Sequence, residues 1–120
     1  MKKILIAEDD ERLLNVLKNR FEEDGWSVKV VVDGESAIDA INKEKFDLVL
    51  LDLLMPKKDG FEVLEAIKSN SIFKNLPIVA MSSLGQEENI DKALKLGAVD
   101  YLIKINNSVS DILKKAESLV

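Results

Sequence analysis

Acidic side chains stand at the ends of two apolar segments that both look like buried strands. Glu8 and Asp9 follow KILIA at residues 3–7, and Asp52 follows LVLL at residues 48–51. A carboxylate that closes a buried strand needs a partner or a function, because burying an unpaired charge is costly. Carboxylates gathered at one place also repel one another unless a cation neutralises them. These residues therefore indicate a cation-binding site.

A hydroxyl and a lysine follow two further apolar segments. Ser82 comes after IVAM at residues 78–81, and Lys104 comes after DYLI at residues 100–103. The chain contains neither histidine nor cysteine, so the ligands are oxygens and the matching cation is a hard one, Mg²⁺ or Mn²⁺. A carboxylate nucleophile, a bound metal and two donors for phosphoryl oxygens are the parts that phosphoryl transfer requires. Asp52 is the best candidate nucleophile because it ends the central strand, and the product would be an aspartyl phosphate.

Alternating strand and helix patterns position these residues. Apolar or β-branched segments predict five strands, at residues 3–7, 27–32, 46–51, 78–81 and 100–103. Apolar residues at helical spacing predict five helices: Leu13, Val16, Leu17 and Phe21; Ala37, Ile38 and Ile41; Phe61, Leu64 and Ile67; Ile90, Ala93 and Leu94; Val109, Ile112, Leu113, Ala116 and Leu119. Asp33 and Gly34, after the second strand, read as an ordinary turn. The alternation predicts an α/β fold, a doubly wound parallel sheet of five strands with five helices, whose ligands bind at the carboxyl ends of the strands.

Composition narrows the function classes. The chain of 120 residues suits a single domain, residues 1–120, since neither a linker nor a repeat divides it. No apolar run reaches the roughly 20 residues that a membrane span needs, and acids interrupt the apolar N-terminal stretch, so we expect a cytoplasmic protein without membrane contact. The net charge of −5 disfavours direct binding of nucleic acid. The missing histidine excludes a His-based triad and an internal phosphohistidine.

Four motifs follow one another in a fixed order along the chain. They are AEDD at residues 7–10, LLDLLMPKKDG at residues 50–60, AMSS at residues 80–83 and GAVDYLIK at residues 97–104. In this order they resemble the receiver domain of two-component response regulators, of the kind found in stand-alone chemotaxis regulators. The resemblance covers essentially the whole chain and implies a flavodoxin-like sheet with the strand order 2-1-3-4-5.

The resemblance implies a metal site and a phosphoacceptor. Asp52 would accept the phosphoryl group. Glu8 and Asp9 would form the acidic pair that holds Mg²⁺ (or Mn²⁺), with Asp9 as a direct ligand and Glu8 acting mostly through water. Asp52 itself and the backbone carbonyl of Leu54 would complete the protein's share of the coordination.

The resemblance also implies a switch and its partners. Ser82 and Lys104 would contact the phosphoryl oxygens, and the ring of Tyr101 would turn inward once Ser82 engages the phosphate. The donor would be a phosphohistidine on a sensor histidine kinase or a histidine phosphotransfer protein. A downstream protein would bind the face formed by the fourth helix, fifth strand and fifth helix, and phosphorylation could also produce a homodimer. Apart from its own phosphorylation and dephosphorylation, the domain would not be an enzyme.

Two features depart from the receiver pattern. Receiver domains usually carry a proline with a cis peptide bond after the lysine of the fifth strand, whereas Ile105 follows Lys104 here. Because a cis bond before another residue costs about 3 kcal/mol, we expect a trans bond and a loop that differs from the family norm. Leu54 and Leu84 occupy two positions that tune the lifetime of the phosphoryl group in this family. Neither side chain can hold an attacking water by hydrogen bonding, which predicts slow self-hydrolysis.

Each residue also has a structural interpretation when taken alone. Asp9 or Asp10 could cap the first helix, and Asp59 is expected to cap the third. Lys104 could be a surface lysine, and Tyr101 could be a packing residue of the sheet. The joint placement of these residues at one sheet edge favours the functional interpretation.

Two other functions remain open. A phosphorylation-independent pseudo-receiver, acting as a scaffold for other proteins, would share the fold, and Ile105 is the feature in its favour. A phosphohydrolase of the dehalogenase type would need a second aspartate two residues after the nucleophile, where Leu54 stands. Because the chain ends at Val120, directly after the fifth predicted helix, we expect either a stand-alone receiver or a receiver taken from a longer regulator.

Overall fold

Five parallel strands form one sheet in the computed structural model, which describes residues 1–83 and 85–120. The order across the sheet is β2-β1-β3-β4-β5, and every neighbouring pair is parallel. The strands are β1 (Lys3–Ala7), β2 (Ser27–Val31), β3 (Leu48–Asp52), β4 (Ile78–Ser82) and β5 (Asp100–Ile103). The predicted fold class and strand order are thereby confirmed, and the order reverses between β1 and β3, the two strands that carry the acidic motifs.

Five α-helices connect and flank the strands. They are α1 (Glu11–Glu23), α2 (Gly34–Lys43), α3 (Gly60–Lys68), α4 (Glu87–Lys95) and α5 (Val109–Leu119), with short 3₁₀ turns at Ser71–Phe73 and Lys104–Asn106. None of the helices in the described part of the chain is long and apolar enough to cross a membrane.

Capping side chains set where the helices begin. Asp10 accepts hydrogen bonds from the first turn of α1, and Asp59 accepts one from the N–H of Glu62 in α3. The cap of the third helix is thus the predicted one, and Asp10 rather than its neighbour Asp9 caps the first helix. Such side chains satisfy N–H groups that have no partner within the helix.

Apolar side chains cover the sheet on both faces. Leu48 and Leu50 belong to the cluster under α1 and α5, whereas Val49 and Leu51 belong to the cluster under α2, α3 and α4. Since successive strand residues point to opposite faces, this division explains why the whole run is apolar. All five residues of β3 are buried, as predicted for a central strand.

Two apolar residues that the helical spacing assigned to the core lie outside it. Val16 in α1 is 50% exposed and Leu94 in α4 is 43% exposed. In α1 the buried positions are Leu14, Leu17 and Phe21, so two predicted positions are confirmed and Leu14, which was not predicted, is buried in addition. Helical spacing alone could not exclude Val16, because an apolar residue at the border of the buried face fits the same pattern.

Candidate functional site

Three carboxylates meet where the strand order reverses. Glu8 directly follows β1, Asp52 ends the neighbouring strand β3, and each of these residues and Asp9 offers an oxygen that lies within 4.8 Å of the others. Glu8 and Asp52 are buried, whereas Asp9 is exposed to solvent. The structure therefore brings together the three acids that the sequence analysis singled out, with one of them open to an incoming ligand.

Backbone contacts fix the two buried acids. The N–H of Glu8 donates to the carbonyl of Val31 in β2 at 3.1 Å. One carboxylate oxygen of Glu8 accepts the N–H of Asp9 at 3.1 Å, and Asp52 Oδ1 accepts the N–H of Leu54 at 3.0 Å. Because each carboxylate is held by the chain next to it, the site is pre-organised by local geometry.

Lys104 supplies a positive charge at the centre of the cluster. Its Nζ lies 2.6 Å from Glu8 Oε1 and 3.1 Å from Asp52 Oδ2. The lysine directly follows β5, so its side chain reaches across the edge of the sheet to two strands that are not its neighbours. It is therefore not the solvated surface lysine of the alternative interpretation.

The pKa of Glu8 is raised from 4.5 to about 8, chiefly by burial. A hydrogen bond with Asp52 and the charge of that residue also raise this pKa, whereas Lys104 lowers it. Burial lowers the pKa of Lys104, but the two carboxylates outweigh burial and the net shift is upward. Near neutral pH Lys104 therefore stays charged, and Glu8 retains its proton.

The donor atoms fit a hard divalent cation. All three acidic groups offer oxygen, and the described residues of the site include no nitrogen or sulfur ligand apart from the Lys104 amine, which stays protonated. Mg²⁺ prefers oxygen ligands and keeps several waters, so a site with one exposed acid suits it. Glu8, Asp9 and Asp52 are the groups whose oxygens lie close enough together to hold it.

Ser82 and Tyr101 lie on the other side of Asp52. Ser82 ends β4 with no exposed surface, and Tyr101 in β5 is 9% exposed. Burial raises the pKa of Tyr101, the charge of Asp52 adds to this effect, and a hydrogen bond with the Ser82 side chain opposes it. Tyr101 is thus buried beside Ser82, and the expected turn of its ring once Ser82 engages a phosphate stays a prediction.

The loop after β5 has an ordered course. The bond between Lys104 and Ile105 is trans, as predicted, and Ile105 is 88% exposed. Asn107 Nδ2 donates to the carbonyl of Ile103 at 2.9 Å. Ser108 and Asp111 form a capping box, each side chain accepting the other's backbone N–H. The loop without proline therefore still delivers the chain into α5.

Leu54 is the second residue of the loop after β3; it is 47% exposed, and its N–H donates to Asp52. An apolar residue therefore lies next to the phosphoacceptor, which is the condition on which we predicted slow self-hydrolysis. The slow rate itself stays a prediction. Leu84, the second residue behind that prediction, lies outside the described residues.

Asp33 has a larger role than the ordinary turn that we predicted. It is buried, its Oδ1 accepts the N–H of Ser36 at 2.8 Å, and its Oδ2 lies 3.7 Å from Nζ of Lys57 in the loop after β3. The hydrogen bond from Ser36 lowers the pKa of Asp33. The position of Asp33 before a helical pattern could have indicated the cap. The contact with Lys57 could not be predicted, since it joins distant parts of the chain.

Comparison with known proteins places the chain among signalling proteins. The family described as response regulator receiver domain matches residues 4–117. The transcriptional regulatory protein CpxR of Escherichia coli (strain K12) is 39% identical over 104 residues, which cover 87% of this chain and 43% of CpxR. The alkaline phosphatase synthesis transcriptional regulatory protein PhoP of Bacillus subtilis (strain 168) is 34% identical over 122 residues, which cover 97% of this chain and 50% of PhoP. The chain thus spans half or less of the length of these relatives.

A solved structure matches the fold closely. The receiver domain of the Francisella response regulator 1452 superposes with a TM-score of 0.92 at 33% identity, and the match covers 99% of this chain and 96% of that chain. The similarity therefore extends over the complete sheet and all five helices described above.

Proposed function

The chain belongs to the response regulator receiver domain family, and from this premise we propose that it is a phosphorylation-dependent switch of a two-component phosphorelay. One observation carries the proposal. Asp52 is buried at the end of the central strand and lies 3.1 Å from the ammonium of Lys104. Together with Glu8 and Asp9 it forms a group of carboxylates close enough to bind one metal ion. A nucleophile, a metal site and a donor for phosphoryl oxygens therefore meet at one point.

Asp52 would accept the phosphoryl group directly. A carboxylate oxygen of Asp52 forms the new P–O bond while the P–N bond of a partner's phosphohistidine breaks, and the leaving imidazole nitrogen takes up a proton. Asp9, Asp52 and the carbonyl of Leu54 would hold Mg²⁺, with Glu8 acting mostly through water. When bound, the cation neutralises charge on the phosphoryl oxygens. The domain would catalyse only its own phosphorylation and dephosphorylation.

Lys104 and Ser82 would recognise the bound phosphoryl group. Phosphorylation removes one negative charge from the Asp52 carboxylate and introduces strong acceptor oxygens, so the ammonium of Lys104 gains a new partner. The hydroxyl of Ser82 would donate to another of these oxygens. Because Tyr101 interacts with the side chain of Ser82, a change at Ser82 reaches the ring in β5.

The proposed partners follow from the same chemistry. The donor would be a sensor histidine kinase or a histidine phosphotransfer protein, because the chain has no histidine of its own. The target would bind the face formed by α4, β5 and α5. Three further statements stay predictions: the domain does not bind nucleic acid directly, it forms a homodimer on phosphorylation, and it is cytoplasmic. CpxR and PhoP are themselves transcriptional regulatory proteins of greater length.

The two alternatives lack support at the site. A pseudo-receiver would not require the contacts of Lys104 with both Glu8 and Asp52, and Ile105 leaves those contacts intact. A phosphohydrolase of the dehalogenase type would require an acid at the position of Leu54, whose exposed side chain is apolar.

Fluorine NMR with beryllofluoride tests the proposal, because beryllofluoride mimics a phosphoryl group on a carboxylate. We expect bound-fluoride signals that require Mg²⁺ and disappear in Asp52→Asn. Asp59→Asn is the matched control, since asparagine caps a helix as well as aspartate does and Asp59 lies at the start of α3. An absence of bound-fluoride signals in the parent protein would favour the pseudo-receiver instead.

A further inference from the structure

Gly34, the first residue of α2, lies directly against the loop that follows the proposed phosphoacceptor. A Cβ built on Gly34 would lie 2.7 Å from Cβ of Lys58 and 2.8 Å from its carbonyl carbon, and nearer still to its carbonyl oxygen. Real side chains do not approach backbone atoms so closely. The loop therefore occupies space that a side chain at this position would require.

Three consecutive loop residues contact the corner formed by Asp33 and Gly34. The N–H of Gly34 donates to the carbonyl of Pro56 at 3.5 Å. Asp33 pairs with Lys57 across 3.7 Å, and Lys57 has a φ of 70°, an uncommon value for a residue with a side chain. Lys58 makes the close contact described above. The corner thus holds the middle of the loop by a hydrogen bond, an ion pair and direct contact.

A second glycine fixes the far end of the same loop. The N–H of Gly60 donates to the carbonyl of Leu53 at 2.9 Å. A Cβ on Gly60 would lie 2.6 Å from the carbonyl oxygen of Asp52. The loop between Leu53 and Asp59 is therefore enclosed between α2 and the start of α3, with Leu54 inside it.

We propose that Gly34 is a positioning residue for the cation site, acting through this loop. The inference rests on the proposed function, because Leu54 is expected to offer its carbonyl to Mg²⁺. The N–H of Leu54 donates to Asp52 Oδ1 at 3.0 Å, so a displaced loop also turns the carboxylate of Asp52. A side chain at residue 34 would push the loop and disturb two metal ligands at once, although it touches neither.

The test compares Gly34→Ala with Gly25→Ala by calorimetric titration with Mg²⁺, well below the melting temperature of either variant. Gly25 has a φ of +89°, so alanine strains the backbone there, but a Cβ would meet no atom within 4 Å. Gly25 lies before β2, at the amino ends of the strands, whereas the acids lie at the carboxyl ends. We expect Gly34→Ala to bind Mg²⁺ about 10-fold more weakly than the parent, which is typical for loss of a group that orients metal ligands. Gly25→Ala should bind as the parent does.

Parental Mg²⁺ affinity in Gly34→Ala would overturn the inference, and so would equal weakening in both variants. A parent protein that binds neither Mg²⁺ nor beryllofluoride would refute the proposed function, and the positioning role with it. If Gly34→Ala does not fold, Asp33→Asn replaces it, because asparagine keeps the helix cap and removes only the charge that faces Lys57. We then expect a weakening of about twofold, and unchanged affinity would overturn the inference.

Discussion

The ammonium of Lys104 lies 2.6 Å from the carboxylate of Glu8, although 96 residues separate them along the chain. The same ammonium lies 3.1 Å from Asp52, so one side chain contacts both buried acids. Lys104 thereby does part of what a bound cation would do. Mg²⁺ and Lys104 are expected to compete for the same oxygens, and several predictions about metal binding depend on this competition.

Lys104→Met should separate metal binding from phosphoryl transfer. Without the ammonium, both buried acids lose a hydrogen-bond donor, and we expect the metal-free protein to lose about 2 kcal/mol of stability. Mg²⁺ should then bind more tightly than in the parent, because its competitor is gone, while transfer from acetyl phosphate becomes slower. Thermal unfolding without Mg²⁺ measures the loss of stability, and the same measurement with Mg²⁺ reports how strongly the cation binds. Lys45→Met, at an exposed lysine, is the control. Weaker Mg²⁺ binding in Lys104→Met would contradict the competition.

The raised pKa of Glu8 predicts an unusual pH dependence. Between its ordinary value of 4.5 and about 8, Glu8 binds more protons in the folded protein than in the unfolded chain. The free energy of unfolding of the metal-free protein should therefore fall as pH rises through this window, by up to about 1.4 kcal/mol per pH unit. Asp33 and Asp111, whose pKa values are lowered, titrate below the window.

Binding of Mg²⁺ should show the opposite trend with pH. Because the cation needs an ionised Glu8, its affinity should rise with pH until about 8, by up to about tenfold per unit. Calorimetric titration at several pH values measures this slope. Glu8→Gln provides the control, since it should bind Mg²⁺ weakly and with little dependence on pH. A flat profile in the parent would show that Glu8 is already ionised near neutral pH.

Ser82 and Tyr101 should be energetically coupled. The two side chains interact, and Tyr101 is 9% exposed, so Tyr101→Phe should cost about 1 kcal/mol by loss of one hydrogen bond. A double-mutant cycle of Tyr101→Phe with Ser82→Ala, measured by urea unfolding, should give less than the sum of the two single losses. Strict additivity would mean that the residues act independently. In that case no energetic coupling would connect Ser82 with β5, and a signal could not pass between them in this way.

Leu54 should make the phosphorylated state long-lived. Its exposed side chain lies at the rim of the site and cannot hold a water by hydrogen bonding. Leu54→Asn should therefore speed hydrolysis of the aspartyl phosphate by about 10-fold, because a water held by the amide attacks the phosphorus more readily and the Asp52 carboxylate leaves. Decay of the phosphorylated mass after removal of the donor gives the rate, and Leu54→Met controls for lost packing. Equal decay in the parent and both variants would contradict the prediction.

Much of the fold could be predicted because its strands are strongly marked. Residues 3–7 and 100–103 form β1 and β5 with the predicted bounds. Asp52 was placed after its strand, but it is the last residue of β3. This shift is small, because the hydrogen-bond ladder continues to Met81 in β4 while the side chain already lies at the sheet edge.

The residues that form the site could be predicted from the sequence, but the contacts among them could not. Residue types at strand ends, together with the family resemblance, were sufficient to select Glu8, Asp52 and Lys104. The contacts of Lys104 join it to residues 96 and 52 positions away in the chain. The contact of Gly34 with Lys58 depends on how α2 approaches the loop after β3. Sequence patterns describe local structure, so contacts between distant loops lie beyond them.

The most direct test is the intact mass of the protein after incubation with acetyl phosphate and Mg²⁺, with Asp52→Asn measured in parallel. We predict that the parent gains one phosphoryl group, that chelation of Mg²⁺ prevents the gain, and that Asp52→Asn gains none. A parent that stays unmodified, or a gain that persists in Asp52→Asn, would contradict the assignment of Asp52 as the phosphoacceptor.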